Sequence, residues 1–554
     1  MQKKSFIQFF KLMTQNYRWK VVFIVLFGAI SSIFQGFGII MLVPLIERFQ
    51  KFEENTNESW INKIIPIQQF SINQVIIIYF IVLIGISVFK VLQTLYTQRT
   101  IANFSNLYSI QSIQTILGAQ WDFFLEYPSS KLINLMNTEA RSIRSLTFFT
   151  LNLIKNSILL IVQLVFALLV SFKLTLLIMG ILSIVIVSQR FFFKQTFKLG
   201  KSRINMTEEM QKYLKETFVG IKEWKLHGLE NMRKTDYTQR IKNIEKNEVD
   251  KAKNEAIAEL MYTITGAVAL ISIVYFSLNH QWISIASLLV LIVLFSRMVN
   301  LTNGVIKQIS HINNMLPSFV HFQEVLKDAQ QSQGKSIPTF NYQKINRLKL
   351  ENIHYSIKNK EILNDVNLEF EKGKFYILTG SSGIGKTITF DLISGLISPQ
   401  KGQILINEQE LSTEEIKKYQ ASINYVQQQS IVLGMTIKEN INFFSNPSEE
   451  NLQKAIQLAG LEKLIQKLPK GLETKVSEDN RNFSGGEIQR ITIARALVNP
   501  PSVLILDEVT NSLDKENEKL IIESLQKIKH NCIVIMITHK EYLFDYADTI
   551  YTLK

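Results

Sequence analysis

The sequence predicts two parts in series: an N-terminal six-helix transmembrane bundle with long cytoplasmic loops, then a C-terminal α/β domain. Three observations predict this. Six stretches of the first half carry the roughly 20 apolar residues that a membrane-crossing helix needs. Lysine and arginine crowd the segments on one side of those stretches. Finally, GSSGIGKT, running from Gly380 to Thr387, lies between an apolar run at 375–378 and an amphipathic one at 389–396. A glycine-rich loop between strand and helix is a phosphate cradle and marks the second part as a P-loop NTPase. Its glycines let successive backbone N–H groups and the helix N-terminus face a β-phosphate, Lys386 reaches the β and γ oxygens, and the Thr387 hydroxyl ligates Mg²⁺. The expected phosphate-binding set is Gly380, Ser381, Ser382, Gly383, Ile384, Gly385, Lys386, Thr387 and Ile388.

The 554 residues are long enough for several domains and are 47% hydrophobic, with 36 phenylalanines. The mean hydropathy of +0.10 is high for a chain that is also 19% charged, because the apolar mass is concentrated in the first half. A net charge of +14 suits nucleic acid or an anionic membrane surface, and location decides between them. Before Glu47 stand Lys3, Lys4, Lys11, Arg18 and Lys20 with no acid, and 194–253 is dense in lysine and arginine, whereas 278–284 has neither. That is the positive-inside asymmetry of a multi-pass cytoplasmic-membrane protein. Membrane lipid is therefore the expected surrounding, and nucleic acid is not an expected partner. The lone Cys532 allows no intrachain disulfide.

In order, the spans are expected at 21–46, 75–96, 146–172, 174–193, 256–278 and 283–306, within a transmembrane domain covering 1–322. Starting inside, six spans return the chain to the cytoplasm, with 47–74 as an outside loop. Two long segments, 98–144 and 194–255, are amphipathic, charged and too polar to span. A polar run at 323–346, including Gln330, Gln331, Ser332, Gln333, Gly334 and Lys335, is expected to be a linker, and the α/β domain to cover 347–554.

Downstream of the phosphate loop come FSGGEIQR (Phe483 to Arg490), VLILDE (Val503 to Glu508) and CIVIMITH (Cys532 to His539). Together, in this order, these motifs resemble the ATPase domain of ABC transporters, and the six-span, long-loop arrangement ahead of them resembles the exporter type. The resemblance implies ATP and Mg²⁺ as cofactors, with Thr387, Gln428 and Asp507 at the metal. Glu508 would polarise the attacking water, His539 would contact the γ-phosphate, and Lys386 and Gln428 would complete the catalytic set. It implies a signature motif at Ser484, Gly485 and Gly486 acting on nucleotide held by a second ATPase domain. The expected partner is thus a second copy of the chain, with a heterodimer as the alternative. It also implies an acid at Glu478 that meets the coupling helices, a D-loop at NSLD (Asn511 to Asp514), and coupling helices near 126–133 and 218–228.

Two departures from the family pattern stand out. Glu487 replaces the usual glutamine after the two glycines, and a carboxylate beside a triphosphate is unfavourable, so Glu487 is expected either to point away or to slow the cycle. The aromatic that stacks on adenine falls at Ile357, with Tyr355 on the same strand face as its stand-in.

Ionisable residues inside spans are functional candidates. Lys90, Lys155 and Arg297 fall on the inner halves of theirs, and Arg297, Asn300, Gly304 and Lys307 recur on one helical face. Lys90, Lys155, Arg297 and Asn300 are the expected substrate cavity. A cationic cavity suits a lipid-linked or anionic amphipathic substrate; the competing reading is side chains snorkelling to headgroups. The first span, QGFGIIMLVPLI, resembles that of lipid-linked oligosaccharide flippases and also helices of peptide exporters. The expected function is ATP-driven export or flipping by a dimeric half-transporter, with peptide export as the alternative and an ATP-gated channel as the remote one.

Overall fold

The computed structural model describes residues 2–40, 72–280, 285–333, 344–357, 360–381, 383–411, 416–476 and 482–553. Residues 47–71 of the expected outside loop, Ser382 and Glu478 lie outside the described residues, as does the middle of the expected linker; the loop's last three residues are already helical. The chain divides into two compact units, Met1–Ala119 with Phe123–Gln333, and Gln120–Asp122 with Gly334–Lys554.

Among the described residues, the regular secondary structure of the first unit is all helical. Its long helices are α1 (Gln2–Ile40), α2 (Ile72–Leu117), α5 (Ala140–Val170), α6 (Phe172–Val219), α8 (Glu230–His280) and α9 (Ile285–Gln331). Short helices α3 (Trp121–Glu126), α4 (Ser129–Asn134) and α7 (Ile221–Leu226) lie between them, and a π-helical turn, Leu135–Glu139, joins α4 to α5. Five helices are long and apolar enough to cross a membrane among the described residues. The fourth expected span lies within α6, many of whose side chains between 181 and 190 are outside the described set. Thus five of the six expected spans meet the criterion. The short helices α3 and α7 fall at or beside the two expected coupling segments. Tyr17, at φ −131° and ψ 25°, interrupts the helical geometry of α1, separating a lysine-bearing first part from an apolar second part.

Helix α9 departs from expectation at its end. It continues to Gln331, nine residues into the segment expected as linker, because Phe319, Phe322, Val325 and Ala329 form a buried stripe at helical spacing. That stripe meets Phe9, whose ring lies edge-on to Phe104 and Phe319 at 6.4 and 5.2 Å, an arrangement that favours aromatic pairs. Helices α5 and α1 pack along α9, and α6 packs on α8 and α9. Helices α6 and α9 approach closely at Gly200, where an added Cβ would lie 2.4 Å from the Asn314 carbonyl oxygen.

The second unit holds two sheets. The antiparallel one contains β1 (Arg347–Ile357), β2 (Lys360–Glu371), β4 (Lys401–Ile406) and β5 (Gln409–Glu410), in the order β2-β1-β4-β5. The other contains β3 (Phe375–Thr379), β6 (Ile423–Val426), β7 (Val503–Asp507), β8 (Ile533–Ile537) and β9 (Thr549–Thr552), ordered β6-β7-β8-β3-β9, and each pairing is parallel. Strands β7 and β8 are buried at every residue. They read as continuous apolar runs because both faces of a parallel sheet are covered. The covering helices include α10 (Lys386–Ile393) and, further along, α11 (Ile416–Gln420), α12 (Ile437–Asn442), α13 (Glu449–Leu458), α14 (Glu462–Lys467), α15 (Gly485–Leu497) and α16 (Lys515–Ile528).

On α10, Asp391 is 7% exposed, and burial, then the nearby Asp507, push its carboxyl up to about 6. Since the folded-state value lies above the unfolded one, ionising Asp391 opposes folding. The penalty is complete above about pH 6 and fades as the pH falls towards 4.

Two predictions follow from the packing. Gly200→Ala drives a methyl into backbone that cannot rotate away, and is expected to lower the thermal unfolding midpoint of the detergent-solubilised protein by several degrees, a loss of about 1–3 kcal/mol. Gly85→Ala and Gly180→Ala, where nothing lies within 4 Å, should leave that midpoint unchanged or raise it slightly. Asp391→Asn should raise the midpoint at pH 7.5, through a stabilisation on the order of 2 kcal/mol, and the gain should vanish when melting is repeated near pH 4.

Candidate functional site

Parallel pairing places the carboxyl ends of β7, β8 and β3 side by side, the edge at which open α/β sheets bind ligands. β3 delivers the phosphate loop, β7 delivers Asp507 and Glu508, and β8 delivers Thr538 and His539. Gly385 caps α10 at φ +107°, and a Cβ there would lie 2.7 Å from Leu363 Cδ2. Only glycine lets the loop close against β2 at that point. The Lys386 ammonium donates to the carbonyls of Gly380 and Ser381 at 2.8 and 3.0 Å, which holds it over the loop. Thr387 is exposed on the first turn of α10.

Asp507 is 8% exposed. Burial raises its carboxyl above the usual range, while Tyr425 donates its hydroxyl proton to Oδ2 at 3.2 Å, and Lys386 is within electrostatic reach. Threonine hydroxyl and aspartate carboxylate are the hard oxygen donors that Mg²⁺ prefers, so the donor chemistry at this edge fits that ion.

Glu508 is held by more contacts than any motif reveals. Its backbone has φ +48°, a left-handed conformation that costs a non-glycine residue of order 1–3 kcal/mol, and its N–H donates to the Ile537 carbonyl at 3.1 Å. Its Oε2 accepts from Gln428 Nε2 and from Asn511 Nδ2, both at 2.8 Å, and its Oε1 lies 3.4 Å from His539 Nε2. The structure thus brings together Gln428, Glu508 and His539 from three separate stretches. Among three consecutive glutamines, it is Gln428 that bonds to Glu508. The Asn511 contact was not part of the sequence expectation. Its signal was spacing: three residues beyond Glu508, Asn511 closes a turn whose backbone N–H reaches the Glu508 carbonyl at 3.2 Å.

The signature stretch stands apart, at the N-terminus of α15. Ser484 and Gly485 are exposed, and Gly486 packs so closely on the D-loop that a Cβ would lie 2.9 Å from the Ser512 carbonyl. Glu487 turns back onto Ser484 at its own helix end. Its Oε2 accepts from the Ser484 N–H at 2.7 Å and from the Ser484 hydroxyl at 2.9 Å, while the Ser484 oxygen accepts from the Glu487 N–H at 3.3 Å. This is the reciprocal Ser-x-x-Glu cap. Phe483 is buried in the core behind it.

Tyr355 is half-buried against the core of the second unit, so only part of its ring is open to a base. The Ile357 side chain lies outside the described residues. In the first unit, Lys155 is half-buried; its Cγ lies 3.7 Å from where a Cβ on Gly28 would stand, and Gln93 lies 3.4 Å from the same point. Lys90 is within electrostatic reach of Lys155. Arg297 and Asn300 are exposed on α9. Lys307, expected on the same polar face, is instead paired with Glu259 of α8 at 3.0 Å.

A family model described as the ABC transporter transmembrane region matches residues 21–302, and one described as ABC transporter matches 363–511. The heterocyst differentiation ATP-binding protein HepA of Nostoc sp. is 25% identical over 98% of this chain and 90% of its own length. A probable ABC transporter ATP-binding/permease protein of Haemophilus influenzae is 27% identical over 63% of this chain and 64% of its own. The leukotoxin translocation ATP-binding protein LktB of Mannheimia glucosida is 40% identical over 35% of this chain and 27% of its own. A solved bacterial Atm1-family ABC exporter with ATP bound shares the fold, with a TM-score of 0.81 at 17% identity over 98% of this chain and 94% of that one. With a membrane-domain match over half its length and an ATPase-domain match after it, the chain belongs to the ABC transporters, as an exporter-type membrane domain joined to an ATPase that couples ATP hydrolysis to transport.

Proposed function

We propose that two copies of this chain form an exporter in the cytoplasmic membrane that moves a lipid-linked or anionic amphipathic substrate. Within each copy, residues 1–322 carry six spans and 347–554 the ATPase. The phosphate loop and Lys386 hold ATP by its phosphates. Thr387, Gln428 and Asp507 hold Mg²⁺, which, when bound, neutralises charge on the β- and γ-phosphates. Glu508 orients the attacking water, its carboxylate aimed by Gln428 and Asn511, and His539 faces the γ-phosphate. The observation that carries this reading is the Glu508 carboxylate, held at the sheet edge by Gln428 and Asn511 and flanked by His539.

The dimer is supported by the exposed Ser484 and Gly485. There the helix N-terminus would meet a γ-phosphate presented by a second subunit, with the Glu487 carboxylate giving up the Ser484 hydroxyl to it. ATP would then bias a two-state membrane domain through its higher affinity for the joined ATPase domains. An anionic substrate is supported by Lys155 and Lys90 on neighbouring helices, with Gln93 6% exposed beside them. The second reading is peptide export, favoured by the leukotoxin translocation named for one relative, although that match spans 35% of the chain.

Glu508→Gln is expected to lower ATP hydrolysis by the reconstituted protein at least about 100-fold while the protein still retains labelled ATP; unaltered turnover in a phosphate-release assay would remove Glu508 from the catalytic role. To test the substrate, ATPase activity is measured in lipid vesicles with polyprenyl-pyrophosphate oligosaccharide, other anionic lipids and short peptides added in turn. Stimulation by the anionic lipids that is lost in Lys155→Ala supports the proposed cavity. Stimulation by peptides alone moves the chain to peptide export.

A further inference from the structure

Away from the nucleotide edge, the first unit holds a half-buried cluster distinct from the residues assigned to hydrolysis and to the substrate cavity. Glu139, the last residue of the π-helical turn, is 2% exposed. Both of its oxygens lie 3.0 Å from Nδ1 of His321 on α9, and the other ring nitrogen of His321 lies 3.7 Å from Oε1 of Glu208 on α6. Each of the three side chains offers one donor atom, and these atoms lie within 4.8 Å of one another.

Two features of this cluster are hard to explain as ordinary packing. Two carboxylates meet one imidazole, and among the described residues no lysine or arginine forms an ion pair with either acid. Arg203 and Lys131 come only within longer electrostatic reach, of Glu139 and His321 respectively. A carboxylate as buried as that of Glu139 needs a positive charge beside it, which either a proton on His321 or a bound ion supplies. Moreover, Asn134, at the end of α4, is 1% exposed. Its amide nitrogen points at Glu139 Oε1, 3.4 Å away, and its Oδ1 has no hydrogen-bond partner, nor has Oε1 of Glu208. Buried oxygens without donors beside an imidazole and a buried acid describe a coordination shell. A π-helical turn, itself uncommon and frequent at functional sites, is what brings Glu139 to this position.

The geometry points to a divalent transition-metal site formed by Glu139, Glu208 and His321, of a kind suited to Zn²⁺, with the Asn134 amide, turned over so that its oxygen faces the cluster, as fourth donor. One imidazole with oxygen donors falls within the range of zinc. Donors around a tetrahedral zinc stand about 3.4 Å apart at bond lengths near 2.0–2.2 Å, so side-chain rotations of about 1 Å close the observed spread. The ion would staple the α4–α5 junction to α6 and α9, segments expected on the cytoplasmic side of the spans. The competing occupant of the same space is a proton on His321, whose ring is pushed towards the charged form by its hydrogen bond to Glu139.

The test uses the full-length, tag-free protein in detergent, stripped with a chelator and titrated with Zn²⁺ alone, without nucleotide. Bound zinc is counted by elemental analysis after gel filtration, and thermal unfolding is followed in parallel. One zinc per chain is expected, with a rise in the unfolding midpoint. Affinity should fall at least about 10-fold in His321→Ala and in Glu208→Gln, and the zinc-dependent rise should be lost in both. Glu208 is partly exposed, so its variant guards against a His321 variant that fails to fold. No stoichiometric zinc in the parent, or zinc uptake that both variants retain, overturns the site and leaves the proton on His321 as the occupant.

Discussion

Parallel pairing of β3, β8 and β7 is the constraint on which the nucleotide domain depends. Pairs such as Leu378 with Ile537, and Asp507 with Ile537, fix the register so that three strands stop level. Each strand is followed within two positions by a residue of the site. A register slip of one residue in a parallel sheet would turn every side chain to the other face, so the buried apolar runs that stabilise the sheet also hold Asp507, Glu508 and His539 within reach of the phosphate loop. Stability and chemistry rest on the same hydrogen-bonded ladder.

Glu508 shows what that rigidity supports. A left-handed backbone at a glutamate persists only where its surroundings over-determine it. Here its N–H is tied to the end of β8 and its carboxylate to Gln428 and Asn511. Gln428 follows β6 and Asn511 belongs to the turn beyond β7, so a shift in either segment would re-aim the acid. In the signature stretch, the Ser484–Glu487 cap accounts for where the carboxylate goes. The acid satisfies N–H and O–H groups of its own helix end, which also complements the positive end of the helix dipole.

The membrane unit is built on a different principle. Its helices are long, and backbone hydrogen bonding is satisfied within each one, so what distinguishes one helix pair from another is the close approach of small residues and the buried polar groups. Gly200 against Asn314 is one such approach; Glu139, His321, Glu208 and Asn134 form such a polar group. Both lie where α6 and α9 meet the rest of the unit, and α9 reaches that region only because its apolar stripe carries the helix on to Gln331.

By itself the sequence determined the two-part architecture, the phosphate loop, the acids that end β7 and the histidine that follows β8. These are written in local pattern: runs of apolar residues long enough to cross a membrane, and glycines, lysine and acids at fixed offsets within a single strand–loop–helix unit. It also singled out Gln428 among three neighbouring glutamines. What only the tertiary structure decided are relations between segments far apart in the chain. Asn511 and Gln428 converge on one Glu508 oxygen, Glu487 folds back on Ser484, Lys307 leaves the expected cationic face to pair with Glu259, and the expected linker begins as helix. Hydrophobic periodicity reports which face of an element is buried; it carries no information about which distant polar group completes that face, because each such pairing is set by the packing of several helices or strands at once.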